Sequence, residues 1–142
     1  MFLTRDPIIP GVFFSRVLDP TCGAAATFVG AVRNHHEGKP VHELCYECYE
    51  VMAERQLAHI ADDVKKKYGV FSVRISHRVG WLQIGDVAVA IEVSSAHRDE
   101  AFRACRDVIE QIKVSVPIWK KEVYADGTSE WVICTHQHQE IS

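Results

Sequence analysis

An α+β fold with a largely antiparallel sheet follows from three observations on this chain of 142 residues. The apolar period switches from two to between three and four, back to two, and then repeats that change. Segments that read as neighbouring strands are joined by short turns, which suits antiparallel pairing. The chain closes on a strand–turn–strand signal centred on Asp126-Gly127. The expected architecture is one such sheet, with two amphipathic helices packed on it and a C-terminal hairpin.

Composition sets the frame. The length suits one domain with its own core, taken here as residues 1–142. An apolar fraction of 47% and a charged fraction of 25% are ordinary for a folded globular chain. A net charge of -3 offers no global basic field, so nucleic-acid binding is not expected and any anion site must be local. "MFLTRDPIIPGVFF" is broken early by Asp6, Pro7 and Pro10, so it lacks the apolar core of a secretion signal. No run is long enough to span a membrane. Cys22, Cys45, Cys48, Cys105 and Cys134 are an odd set without a repeating frame, which reads as reduced thiols in the cytoplasm.

In chain order, "AAATFVGAV" (24–32) reads as a buried strand, with β-favouring Thr27 to Val29 and Val32. "RNHHEGKP" (33–40) carries Gly38 and Pro40 and reads as a loop. "VHELCYECYE" (41–50) alternates: Val41, Glu43 and Cys45 fall on one side, Leu44, Tyr46 and Cys48 on the other. From 52 to 68, Leu57, Ile60, Ala61, Val64 and Tyr68 recur at helical spacing. Lys65 to Lys67 suit the last turn of that helix, and Gly69 suits its C-cap. "VFSVRISHRV" (70–79) is a strand, "GWLQIGD" a turn-rich connection, and "VAVAIEVSS" (87–95) a strand with Val87, Val89, Ile91 and Val93 on one face. Ala101, Phe102, Cys105, Val108, Ile109 and Ile112 mark a second helix. Asp99 and Glu100 suit its first turn, and Pro117 ends it. "WKKEVYADGTSEWVIC" is the hairpin, and the polar tail from about 135 is expected to fray.

Four places carry candidate chemistry. His97 and Arg98 lie at a strand-to-helix junction, where free backbone N–H groups and the helix dipole favour an anion. They read either as an anion site or as a capping histidine beside a surface arginine. Lys113 falls on a line with Phe102 and Ile109, bordering the apolar stripe. It either snorkels to water or sits in a cleft, where burial makes its amine a usable acid, base or nucleophile. "VPIWKKE" sets Lys120 directly after Trp119, seven residues beyond Lys113. Two cations in a semi-dry pocket require an anion. Arg33 stands at the end of the first strand. His35, His36, the Cys45/Cys48 pair and the His136/His138 pair suggest a metal, but Cys45 and Cys48, three apart on a strand, face opposite ways, and a structural zinc wants a second compact ligand pair where the chain offers only scattered candidates, so none is expected.

"TFVGAVRNHHEG", "VGWLQIGDVAVAIEVSSAHRDEAF", "IKVSVPIWKKE" and "DGTSEWV", in this order, resemble the large, catalytic subunit of molybdopterin synthase, the MoaE family. The resemblance runs from about Ala24 to Val132. It implies an α+β homodimer in which each chain binds a small ubiquitin-like sulfur-carrier subunit, a heterotetramer overall. The carrier's C-terminal Gly-Gly thiocarboxylate would enter a pocket and pass sulfur to cyclic pyranopterin monophosphate, giving molybdopterin for molybdenum cofactor biosynthesis. By motif, Arg33, His97 and Arg98 would bind the substrate's phosphate and pterin, with the His-Arg pair supplied across the dimer. Lys113 would be the central catalytic lysine and Lys120 the second, with Lys121 and Glu122 on the same wall. Ala31 and Val32 would offer backbone contacts only. No cofactor and no metal are implied. The alternative is a pterin- or nucleotide-phosphate-binding module of the same fold without catalysis.

Overall fold

The structure, a computed structural model, describes residues 1–133. In chain order the elements are β1 (Leu3–Thr4), α1 (Pro10–Phe13), β2 (Ala24–Ala31), β3 (His35–His36), β4 (Lys39–Cys48), α2 (Glu50–Tyr68), β5 (Ser72–Arg78), β6 (Gly80–Gln83), β7 (Val87–Ser95), α3 (Arg98–Ser115), β8 (Ile118–Tyr124) and β9 (Ser129–Ile133). Cys134 and the tail, with His136 and His138, lie outside the described residues.

The strands form two sheets where one was expected. The first has the order β1-β5-β7-β2. The second is built on β4, flanked by β6 and β8, with β9 beyond β8 and β3 folded back on the start of β4. All pairs are antiparallel except β1 with β5. The change of sheet happens at "GWLQIGD". Gly80 has φ 98° and Gly85 φ 89°, a region open to glycine and closed to most residues, and these two turns let β6 leave the first sheet and β7 return to it. The segment read as a turn-rich connection is therefore a strand, anchored by fully buried Leu82.

Both helices cover the first sheet, α2 against β5 and α3 against β7 and β2, and they pack on each other. Leu57, Ile60 and Val64 of α2 meet Ala104, Val108 and Ile112 of α3 in a core that also takes Ile75, Ile91 and Val93. Gly69 ends α2 with φ 65°, as its position suggests. Phe102 is 65% exposed and does not join the stripe; Ala104 holds the buried position instead.

Strand β7 is buried on both faces, so its pattern is not the one-sided alternation expected. Ala88, Ala90 and Glu92 lie opposite the valine face. Arg74 pairs with Glu92 at 2.9 Å, donates to the Phe13 carbonyl and stacks 4.1 Å from the Phe13 ring. Thus α1 and its flanks close that face.

Strand β2 departs most from expectation. Among the described residues it pairs with β7 alone, and of its own residues only Ala26 is buried. Phe28 and Val29 are 37% and 40% exposed. The strand's neighbour "RNHHEGKP" holds the hairpin β3–β4, turned by Glu37 (φ 49°) and Gly38 (φ 81°). That turn was hidden in the sequence because glutamate is a poor residue at positive φ.

Candidate active site

The alternation of β8 decides which of its charges share a wall. Ile118, Lys120, Glu122 and Tyr124 point inward, while Trp119, Lys121 and Val123 point to the other face. Lys121 Nζ lies 5.9 Å from the Trp131 ring, on the outer side of the sheet. Lys120 and Glu122 therefore share a wall, and Lys121 does not join it.

Glu122 is almost wholly buried and gathers three partners. Tyr124 donates its hydroxyl to Oε1 at 3.0 Å. Lys120 Nζ stands 3.3 Å from Oε2, and His36 Nδ1 3.8 Å from the same oxygen. Burial and then the carboxylate push the Tyr124 hydroxyl up, so it stays a donor. A buried carboxylate facing a half-buried ammonium fixes the direction of that ammonium.

Register extends the cluster. Lys120 lies opposite Tyr46 on β4, so both side chains leave the same face. The Tyr46 ring meets His77 edge-on at 5.2 Å between centroids. His77 is buried, and its Nδ1–H donates to the Arg78 carbonyl at 2.9 Å. Burial pushes its imidazole down to about 4, and the charge of Lys113 acts in the same direction. The neutral imidazole so favoured keeps Nε2 as a lone-pair acceptor. Lys113, half-buried in the last turn of α3, is thus near enough for its charge to act on His77.

The remaining expected residues lie elsewhere. Val32 is buried; its N–H donates to the Asp86 carbonyl at 2.9 Å and its carbonyl accepts from Gly85 N–H at 2.8 Å. Its N–H is engaged within the chain, so it anchors the strand end and is no free donor. Ala31 is exposed beside a register shift, and Arg33 is exposed just beyond. This end of β2 lies beside Val87, where α3, running back along β7, finishes.

His97 and Arg98 are at the other end. His97 is the N-cap of α3 but makes no side-chain cap bond; its side chain is 83% exposed, with Nδ1 3.6 Å from Glu100. At about 1.5 Å rise per residue, α3 carries Lys113 about 22 Å from Arg98. Within one chain the His-Arg pair and the two lysines cannot hold one small ligand.

Other chemistry is sparse. Burial pushes the Cys45 and Cys48 thiols up and the Cys105 thiol to about 11, which keeps all three protonated and poor as nucleophiles. Among the described residues no three His, Cys, Asp or Glu side chains converge to hold a metal ion. His77 and Tyr46 were missed from sequence, although period-two spacing from Ile75 and from Leu44 marks both as inward-facing.

The family model described as "MoaE protein" matches residues 3–115. The chain belongs to the MoaE protein family. A curated relative, the molybdopterin synthase catalytic subunit of Thermoplasma volcanium, is 43% identical over 91% of this chain and 94% of its own length. The crystal structure of molybdopterin synthase from Staphylococcus aureus matches with a TM-score of 0.85 at 41% identity, covering 92% of this chain and 95% of that one. A complex of subunits 1 and 2 of molybdopterin-converting factor from Helicobacter pylori matches at TM-score 0.64 over 82% of this chain and 75% of that one; at 22% identity that likeness speaks for the fold alone.

Proposed function

We propose that this MoaE-family chain is the catalytic subunit of a molybdopterin synthase in molybdenum cofactor biosynthesis. It receives sulfur from the C-terminal thiocarboxylate of a small ubiquitin-like carrier and transfers it to cyclic pyranopterin monophosphate. The observation that carries this reading is Lys120 on the inward face of β8, aimed by buried Glu122, with the charge of Lys113 acting on buried His77 beside Tyr46. Sulfur transfer followed by hydrolysis of the acyl link needs proton movement and charge stabilisation at an anionic substrate. Lys113 is the central acid–base residue. Lys120, with Glu122, holds the phosphate or the thiocarboxylate in place, and Arg33 stands at the same end to meet the phosphate. Lys121 serves no substrate role in this reading. The compartment is the cytoplasm.

The site is completed by a second copy. Ala24–Ala31 carries no charged residue and, among the described residues, has one edge without a strand partner, the kind of edge that pairs with another chain unless charge prevents it. Antiparallel pairing of two β2 edges about a two-fold axis sets the Ala24 end of one chain beside the Ala31 end of the other. Ala24 lies opposite Ser95, so the partner copy's α3 N-terminus, with its His-Arg pair, comes alongside Arg33. With one carrier on each copy the assembly is a heterotetramer.

The test is a single-turnover assay with cyclic pyranopterin monophosphate and thiocarboxylated carrier, the product followed as the fluorescent oxidised pterin. Wild type forms the dithiolene, and Lys113→Ala, folded and carrier-binding, forms little. Carrier and pterin binding without any product from wild type would instead make the chain a binding module.

A further inference from the structure

His36 belongs to none of the roles above, yet its ring stands between two carboxylates. Nδ1 is buried with no hydrogen-bond partner among the described residues, 3.8 Å from Glu122 Oε2. Nε2 is 3.8 Å from Oε1 of Glu37, whose side chain is 83% exposed. The backbone places both deliberately: the β3–β4 turn forces Glu37 to φ 49°, a costly conformation for a residue with a Cβ, and that turn lays His36 over β8. We infer that His36 relays protons between the Lys120–Glu122 pair and solvent, with Glu37 as the outer station.

Each transfer balances. A proton leaving the Lys120 ammonium passes to Glu122 Oε2 and on to His36 Nδ1. The proton on Nε2 leaves to Glu37 Oε1 and then to water. The imidazole ends as its other neutral tautomer, both carboxylates end as they began, and Lys120 is left as the amine. The reverse sequence recharges it. The 3.8 Å gaps exceed hydrogen-bond length, so the ring must swing by about 1 Å toward each carboxylate in turn. An unpaired buried Nδ1 favours that motion over a locked ring. The other groups around this cluster are Lys120 and Tyr124 on β8, Lys39 on β4, whose Nζ lies 5.0 Å from the Tyr124 ring, and Glu130 on β9, which lies opposite Glu122 and also acts on the Tyr124 hydroxyl. Glu122 Oε2, which faces both, is the acceptor that links the ring to Lys120.

The relay rests on the proposed function only for its use, so it is tested first without turnover. NMR measures how fast the Lys120 ammonium hydrogens exchange with water in the folded chain. His36→Gln, which fills the space but cannot relay, slows that exchange about tenfold. Glu37→Gln, far from the buried site, slows it less, and imidazole added to His36→Ala restores it. Lys113 serves as the internal reference and does not change. Equal exchange at Lys120 in wild type and His36→Gln would overturn the relay. The same variants then enter the turnover assay. A kcat lowered in His36→Ala, with KM unchanged and recovery in imidazole, gives the relay its catalytic use. A wild type that exchanges through His36 but forms no product would count against the proposed function and leave the relay standing.

Discussion

Lys120 Nζ stands 3.3 Å from Glu122 Oε2, and the two side chains differ sharply in access to water, at 22% and 3% exposed. The pair is therefore asymmetric. Lys120 can turn outward if its partner is lost, whereas Glu122 cannot.

Stability should follow that asymmetry. Lys120→Met strips the buried carboxylate of its ammonium and should cost about 3 kcal/mol. Glu122→Gln keeps the shape and frees a lysine that can reach solvent, so about 1 kcal/mol is expected. The double variant should cost less than the sum. Urea unfolding of the four proteins measures the coupling.

His77 should make folding sensitive to acid. Its folded imidazole is held down to about 4 against an ordinary 6.5. Between these values the unfolded chain takes up a proton that the folded chain refuses. Stability therefore falls as pH drops from about 6.5 to about 4, by about 3 kcal/mol, and this contribution levels off below. In His77→Phe the slope over that window should flatten. An unchanged slope would mean that another group is responsible.

Much of this was legible in the sequence, and the losses have physical causes. The helix stripe of Leu57, Ile60 and Val64 and the Asp126-Gly127 turn are local signals, and both hold in the structure. Strand β6 was not legible because its only buried anchor is Leu82, set between two glycines. The second sheet was therefore hidden too. Lys120 and Glu122 could have been separated from Lys121 by period-two spacing alone. The separation of about 22 Å between Arg98 and Lys113 also follows from helix length. The nearness of His77 and Tyr46 to the lysines is tertiary and had no local signal.

Gly30 is fixed by its neighbours. A Cβ there would lie 2.8 Å from Val89 Cγ1 and 3.3 Å from the Phe28 ring. Gly30→Ala should destabilise by about 2 kcal/mol and disturb the β2 surface. Thermal unfolding measures the first effect. Val89→Ala in the same chain should recover part of it.

The β2 edge should be the seam between copies. Val29→Lys puts a charge on the exposed, uncharged strand and should yield a folded monomer. Sedimentation gives the mass and far-UV circular dichroism the fold. A dimer that survives this change would place the seam elsewhere.

The claim that one site draws on both ends of α3, from two copies, is tested most directly by mixing. Lys113→Ala and Arg98→Ala are each expected to be inactive alone. After subunit exchange at equal concentration, half the dimers carry one of each, and each such dimer holds one intact site. Turnover should return to about a quarter of wild type. No recovery, despite exchange shown by mass, would contradict a site shared between copies.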